Sequence, residues 1–195
     1  MKNLVNIKSK TETTTPSVGV DGQELDAWFD QYGRLVTTER NILVDVTPTL
    51  DNGTAYADED LLFDATAVSS AVFQGGSAVL ESLTVIDKDD EGAAFDIYFL
   101  DVGTSLGTIN DAEAMTDAML STVLTKVSVA GADYVDLANG QIVTKSASGG
   151  DAGMGVILQP SSSTSTSVWV AGVSQGTPTY TAADDLVLRI GLRRA

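Results

Sequence analysis

Apolar residues recur at every second position over several stretches of this chain, the period of a β-strand with one buried face. Phe95, Ile97 and Phe99 alternate with Asp96 and Tyr98. Leu186, Leu188, Ile190 and Leu192 alternate with Val187, Arg189 and Gly191. Residues 42–47 are rich in β-branched side chains, and residues 79–86 and 168–173 are apolar at most positions. The last two runs predict central strands of a sandwich, covered on both faces. Asn52-Gly53 and Asn139-Gly140 mark turns, because both residue types tolerate positive φ. Gly75-Gly76-Ser77 reads as a tight turn before the next strand, not as a phosphate loop, since no Gly-Lys-Ser/Thr follows.

One helix is expected. Asn110 would cap it, with Glu113 three residues on as in a capping box. Asp111, Glu113 and Asp117 would sit at its positive end. Ala112, Met115, Ala118 and Met119 would form its apolar stripe, with the methionines as core filler. Short strands, regular turns and one crossover helix predict an all-β fold. The specific expectation is an antiparallel β-sandwich of jelly-roll type, with one short helix and an extended N-terminal arm.

That arm is residues 1–40, and the sandwich is residues 41–195. Thr11–Ser17 is polar and β-prone without a hydrophobic face. Leu25–Gly33 then brings Trp28, Phe29 and Tyr32 close together, a short aromatic anchor of the kind that docks on a neighbour. Arg34–Glu39 looks like a strand leaving that anchor. Ser161–Ser167 is a Ser/Thr run between two strands and reads as a flexible loop.

Composition removes many chemistries. The 195 residues contain no Cys and no His. Disulfides, thiolate nucleophiles, Ser-His-Asp triads and His- or Cys-ligated zinc are therefore excluded. The formal net charge is −16, from 27 acidic and 11 basic residues. The segment 21–117 is strongly acidic, and the basic residues gather toward the ends, at Lys2-Lys8-Lys10 and Arg189-Arg193-Arg194. An acidic body repels phosphates and anionic membranes, so neither nucleic acid nor membrane is an expected partner. No apolar run reaches the roughly 20 residues of a spanning helix, and the N-terminus does not open onto a signal-peptide core.

Some motifs resemble active chemistry. Gly172-Val173-Ser174-Gln175-Gly176 matches a nucleophile elbow, but the chain has no histidine to act as base. Asp87, Asp89 and Glu91, followed by Gly92, resemble the opening of a calcium loop. The twelfth position is Tyr98 where a Glu belongs, so the expected reading is an exposed hairpin turn, with no metal. Asp58-Glu59-Asp60 reads as a solvated acidic run, and Asn52-Gly53-Thr54 as a turn more than a glycosylation site. No carboxylate pair stands out for glycoside hydrolysis. No cofactor and no enzymatic activity are expected.

Three stretches carry a resemblance. They are Gly75–Asp87, Ala94–Asp101 and the closing Gly172-Val173-Ser174-Gln175-Gly176-Thr177-Pro178-Thr179-Tyr180 with Asp184–Leu192. Together with Tyr56–Asp60 ahead of them, their order resembles small structural proteins of tailed bacteriophages. The likeness spans roughly residues 54–192. It implies a virion component with a β-sandwich body, and it carries no catalytic residues. The reading that follows is a capsid decoration, or cement, protein. It would be made in the host cytoplasm and sit on the capsid surface. A trimeric body would bind the major capsid protein, with Trp28, Phe29, Tyr32 and Arg34 of the arm as contacts. A tail, head-fibre or receptor-binding virion module is the alternative.

Overall fold

The computed structural model describes residues 40–194. They form ten strands and almost no helix. In chain order the elements are β1 (Arg40–Val46), β2 (Leu61–Val68), β3 (Ala78–Asp87), β4 (Phe95–Leu100), α1 (Asp117–Leu120), β5 (Val123–Val129), β6 (Val135–Asp136), β7 (Gln141–Ser146), β8 (Ile157–Leu158), β9 (Val168–Ser174) and β10 (Leu186–Arg194). The Trp28, Phe29, Tyr32 and Arg34 anchor, the Arg34–Glu39 strand and the extended arm lie outside the described residues.

Two antiparallel sheets result. The first runs β1-β10-β3-β7-β6, with β8 joined to the end of β3, and the second runs β2-β9-β4-β5. Counting the eight long strands along the chain, the sheets read 1-8-3-6 and 2-7-4-5. All steps but one pass from one sheet to the other. The exception is the fourth-to-fifth connection inside the second sheet. This wrapping makes the sandwich a jelly roll, as the strand pattern predicts.

The inner faces build one continuous core. Leu80, Leu83 and Val85 of β3 and Leu186, Leu188, Ile190 and Leu192 of β10 meet Phe63, Phe95, Ile97, Phe99, Val168 and Val170 of the facing sheet. Burial of this apolar surface holds the layers together, at roughly 25 cal/mol per Å² removed from water. Gly172 has no room for a side chain, because the Phe63 ring occupies the place of its Cβ.

The helix differs from expectation. Asn110 adopts a left-handed φ of 63° and its amide donates to Asp51 Oδ2 at 2.8 Å, so it serves a turn. The helical turn begins later, at Asp117, capped by Thr116, and is four residues long. Residues 101–122 instead form a strap across the outer face of the second sheet. Leu106, Met115 and Met119 from the strap pack on Leu61, Leu100, Ala171, Val173 and Trp169. Met115 and Met119 are thus apolar filler, although not on one helix.

The strap also explains the burial of single strands. β9 is buried on both faces, as its apolar run predicts, because the strap covers its outward residues. β4 is covered on both faces for the same reason, against its half-buried alternation. The equally apolar β3 keeps its outward residues partly exposed, since no described element covers that side.

Candidate interaction face

The strand registers arrange the outward residues of the first sheet into four rows. One row is Val187, Ile86, Ile142 and Val135. The next is Asp45, Arg189, Thr84 and Thr144. The third is Leu43, Gly191, Ser82 and Ser146. The last is Asn41, Arg193, Val79 and Ile157. Cross-strand neighbours share a face, so each row is a line of side chains at about 5 Å spacing.

Apolar residues stand in the open here. Leu43 is 69% exposed, Ile157 64% and Val135 59%. Isolated exposed apolar residues are ordinary, whereas several on one flat face mark a contact surface. A shallow groove crosses the face, lined by Asn41, Leu43, Glu81, Ser82, Gly191 and Arg193. Its floor exists because β3 carries a bulge opposite Gly191/Leu192. The bulge turns Ser82 toward Gly191, and the Ser82 hydroxyl occupies the space a Cβ at 191 would need.

The charges on this face are paired within it. Arg189 donates from Nε and Nη2 to the two oxygens of Asp45, at 2.8 and 3.0 Å. That guanidinium holds the Asp45 carboxyl below its ordinary range, through the hydrogen bond first and the charge second. Arg193 Nε donates to Glu81 at 2.7 Å. Thr84 and Thr144 hydroxyls lie 3.0 Å apart. Every arginine among the described residues lies on β1 or β10. Arg40 and Arg194 stand directly opposite each other. The Arg194 guanidinium lies 5.2 Å from the centre of the Phe73 ring, and its Nη2 donates to the Ser70 carbonyl. The basic C-terminal run is therefore built into a sheet.

The acidic turn after β3 does different work. Asp87 is fully buried, and its oxygens accept from the backbone N–H groups of Asp89 at 3.0 Å and Gly92 at 2.8 Å. Burial pushes its carboxyl up from the usual range, and the amides pull it partly back. Asp89 accepts from the backbone and hydroxyl of Thr181, both at 2.8 Å. Asp87, Asp89 and Glu91 do not converge: among the described residues no group of three or more acidic side chains is placed to hold a metal ion. The expected exposed hairpin does not form, because β3 and β4 belong to different sheets: Asp87, itself buried, instead closes a turn that carries the chain from the first sheet to the second. Near it, burial and the charge of Asp87 raise the phenols of Tyr134 and Tyr180, whose buried hydroxyls have no protein partner.

The remaining motifs resolve into packing. Ser174 of the elbow-like sequence is buried, and its hydroxyl donates to the Gly176 carbonyl at 2.9 Å, closing a turn at the end of β9. Asp60 caps its own turn by accepting from Ala57 N–H at 2.6 Å. Gly76 N–H bonds the Phe73 carbonyl at 2.8 Å, which makes the expected tight turn before β3. No helix among the described residues is long and apolar enough to cross a membrane.

No family model matches the chain. No curated protein matches it either. Among solved structures, it is similar to a chain from a marine algae virus of the order Picornavirales, at 11% identity and a TM-score of 0.24. That alignment covers 99% of this chain and 85% of the other. A chain of infectious bursal disease virus, Gx strain, aligns at 13% identity and a TM-score of 0.19, over 92% of this chain and 44% of that one. Likenesses this distant assign no function. The jelly roll rests on the strand order itself.

The open face was not among the site residues singled out from sequence. A signal existed in the alternation of residues 186–192, where Val187, Arg189 and Gly191 are the outward set. What was missing was the identity of the strands beside them.

Proposed function

We propose that the chain is a virion structural protein that binds the major capsid protein shell, as a capsid decoration or cement protein. The observation that carries this reading is the jelly roll with one sheet face strapped over and the other covered by no described residue. A body of that kind offers a flat surface for adhesion. The resemblance of residues 54–192 to structural proteins of tailed bacteriophages supports the same reading.

The mechanism is adhesive. Residues 1–40 supply Trp28, Phe29 and Tyr32 as anchors, with Arg34 beside them, since buried aromatic and Arg side chains dominate interface energetics. Three copies per assembly would multiply a modest single contact into firm attachment. The acidic remainder of the surface keeps decorated particles mutually repulsive.

The test is co-sedimentation of the full chain with empty shells. The wild-type chain is expected to pellet with shells to a saturable stoichiometry. A Trp28→Ala, Phe29→Ala, Tyr32→Ala variant is expected to bind at least about tenfold more weakly, the low end for losing hot-spot anchors. A chain that never pellets with shells sinks the reading. A variant that pellets like wild type moves the contact off the anchors and onto the body.

A further inference from the structure

We infer that the face of the first sheet that no described residue covers docks against the same face of a second copy of this chain, about a two-fold axis. The inference goes beyond shell binding: it gives this face to a second copy and leaves attachment to the shell to the Trp28, Phe29 and Tyr32 anchors.

Charge selects the occupant. Two copies of a chain with net charge −16 repel each other over most of their surface. On this face Asp45 pairs with Arg189 and Glu81 with Arg193, so its charges cancel. A second copy can approach here without setting one net negative surface against another.

Shape points the same way. A two-fold axis parallel to the strands, midway between β10 and β3, lays β1 of one copy over β7 of the other. Each of the three rows that begin on β1 then falls on its own counterpart, reversed. In the row Val187, Ile86, Ile142 and Val135, the axis lays Val187 of each copy over Ile86 of the other, apolar on apolar. In the row Leu43, Gly191, Ser82 and Ser146, one large exposed side chain stands at one end and small ones fill the rest. Reversal brings each Leu43 over the Ser146 end of the partner copy. An isologous contact requires this pairing of a residue with its complement in both directions.

Size sets the strength. Four strands about 4.8 Å apart and about seven residues at about 3.3 Å give a flat area of roughly 450 Å² per copy. A standard stable interface buries about 800 Å² per partner. The expected pair is therefore reversible and grows with concentration.

The absence of cysteine makes the geometry directly testable. Stacked sheets lie about 10 Å apart, beyond disulfide reach but within a short bis-maleimide. Full-length Leu43→Cys and Ser146→Cys chains, mixed and treated with that reagent, are expected to give a crosslinked pair. Leu43→Cys alone is not, because its two copies would lie roughly 17 Å apart at these spacings. Sedimentation of the untagged wild-type chain over a concentration series is expected to show even-numbered assemblies. Leu43→Glu is expected to weaken the pairing at least tenfold while leaving the unfolding midpoint of dilute protein unchanged, since Leu43 is exposed. Absence of a mixed crosslink, together with masses that never reach an even multiple, overturns the inference. If Leu43→Glu instead loses shell binding while wild type never pairs, the occupant is the shell and the inference is equally overturned.

Discussion

Arg189 on β10 grips both oxygens of Asp45 on β1, across the register that joins the edge strand to the sheet. Both side chains are about half exposed, at 47% and 49%. The pair thus orients two outward side chains more than it stabilises the fold. Because Arg189 holds the Asp45 carboxyl below its ordinary 3.8, the contribution is complete above that pH and fades as pH falls below it. Asp45→Asn is expected to remove this small acid-limb component and leave the neutral-pH midpoint nearly unchanged. Urea unfolding at pH 3 to 7, wild type against variant, reads the difference.

Asp87 has the opposite sign. Its folded carboxyl is raised by burial, so the native state holds that proton more tightly than the unfolded chain. The contribution of Asp87 to stability rises as pH falls toward 3.8 and is least favourable at neutral pH. Asp87→Asn keeps an acceptor for the turn amides and is expected to flatten this component. Asp87→Ala leaves the Asp89 and Gly92 N–H groups unpaired and is expected to destabilise by about 1–3 kcal/mol. Paired denaturation curves at pH 4 and 7 distinguish the three proteins.

Gly172 and Phe63 share one space in the core. Gly172→Ala is expected to cost about 1–3 kcal/mol, the usual penalty for overpacking. Phe63→Leu should make room and recover part of that loss. A double-mutant cycle by chemical denaturation tests it, with a coupling near zero counting against a steric cause.

Leu106 fastens the strap, with no exposed surface of its own. Leu106→Ala is expected to destabilise the protein by about 2–5 kcal/mol. Trp169 lies under the strap, against Gly103, and serves as the reporter. In a Trp28→Phe background its fluorescence should shift to the red, and amide exchange should rise over residues 101–122 more than in β3 and β10. Uniform exchange throughout would mean that the strap and the sandwich open as one unit.

Three tyrosines should resist titration. Burial pushes the Tyr56 phenol up to about 12, and those of Tyr134 and Tyr180 higher still. Near-ultraviolet absorbance is expected to show these phenols ionising only as the protein unfolds in alkali. A smooth ionisation of all phenols near pH 10 in folded protein would contradict their burial.

Much of the sandwich is legible from local pattern, because strand period and turn chemistry are local properties. The alternation of Leu186, Leu188, Ile190 and Leu192 marks β10 and its inward set, and Gly75-Gly76 marks the turn before β3. The helix failed for a tertiary reason. The capping pattern at Asn110 is intact, but Asn110 is held by Asp51, 59 residues away in sequence, and the apolar residues after it find partners on the second sheet.

The same logic divides β3 from β9. Both are apolar runs, and nothing local tells them apart. The path of residues 101–122 decides that β9 is covered on its outer side while no described residue covers that side of β3. The jelly-roll class, the absent chemistries and the acidic balance followed from the amino-acid sequence alone. Which sheet face stays exposed, which charges neutralise each other upon it, and where Leu43 stands beside Gly191 were decided by strand pairing, which joins residues more than a hundred positions apart.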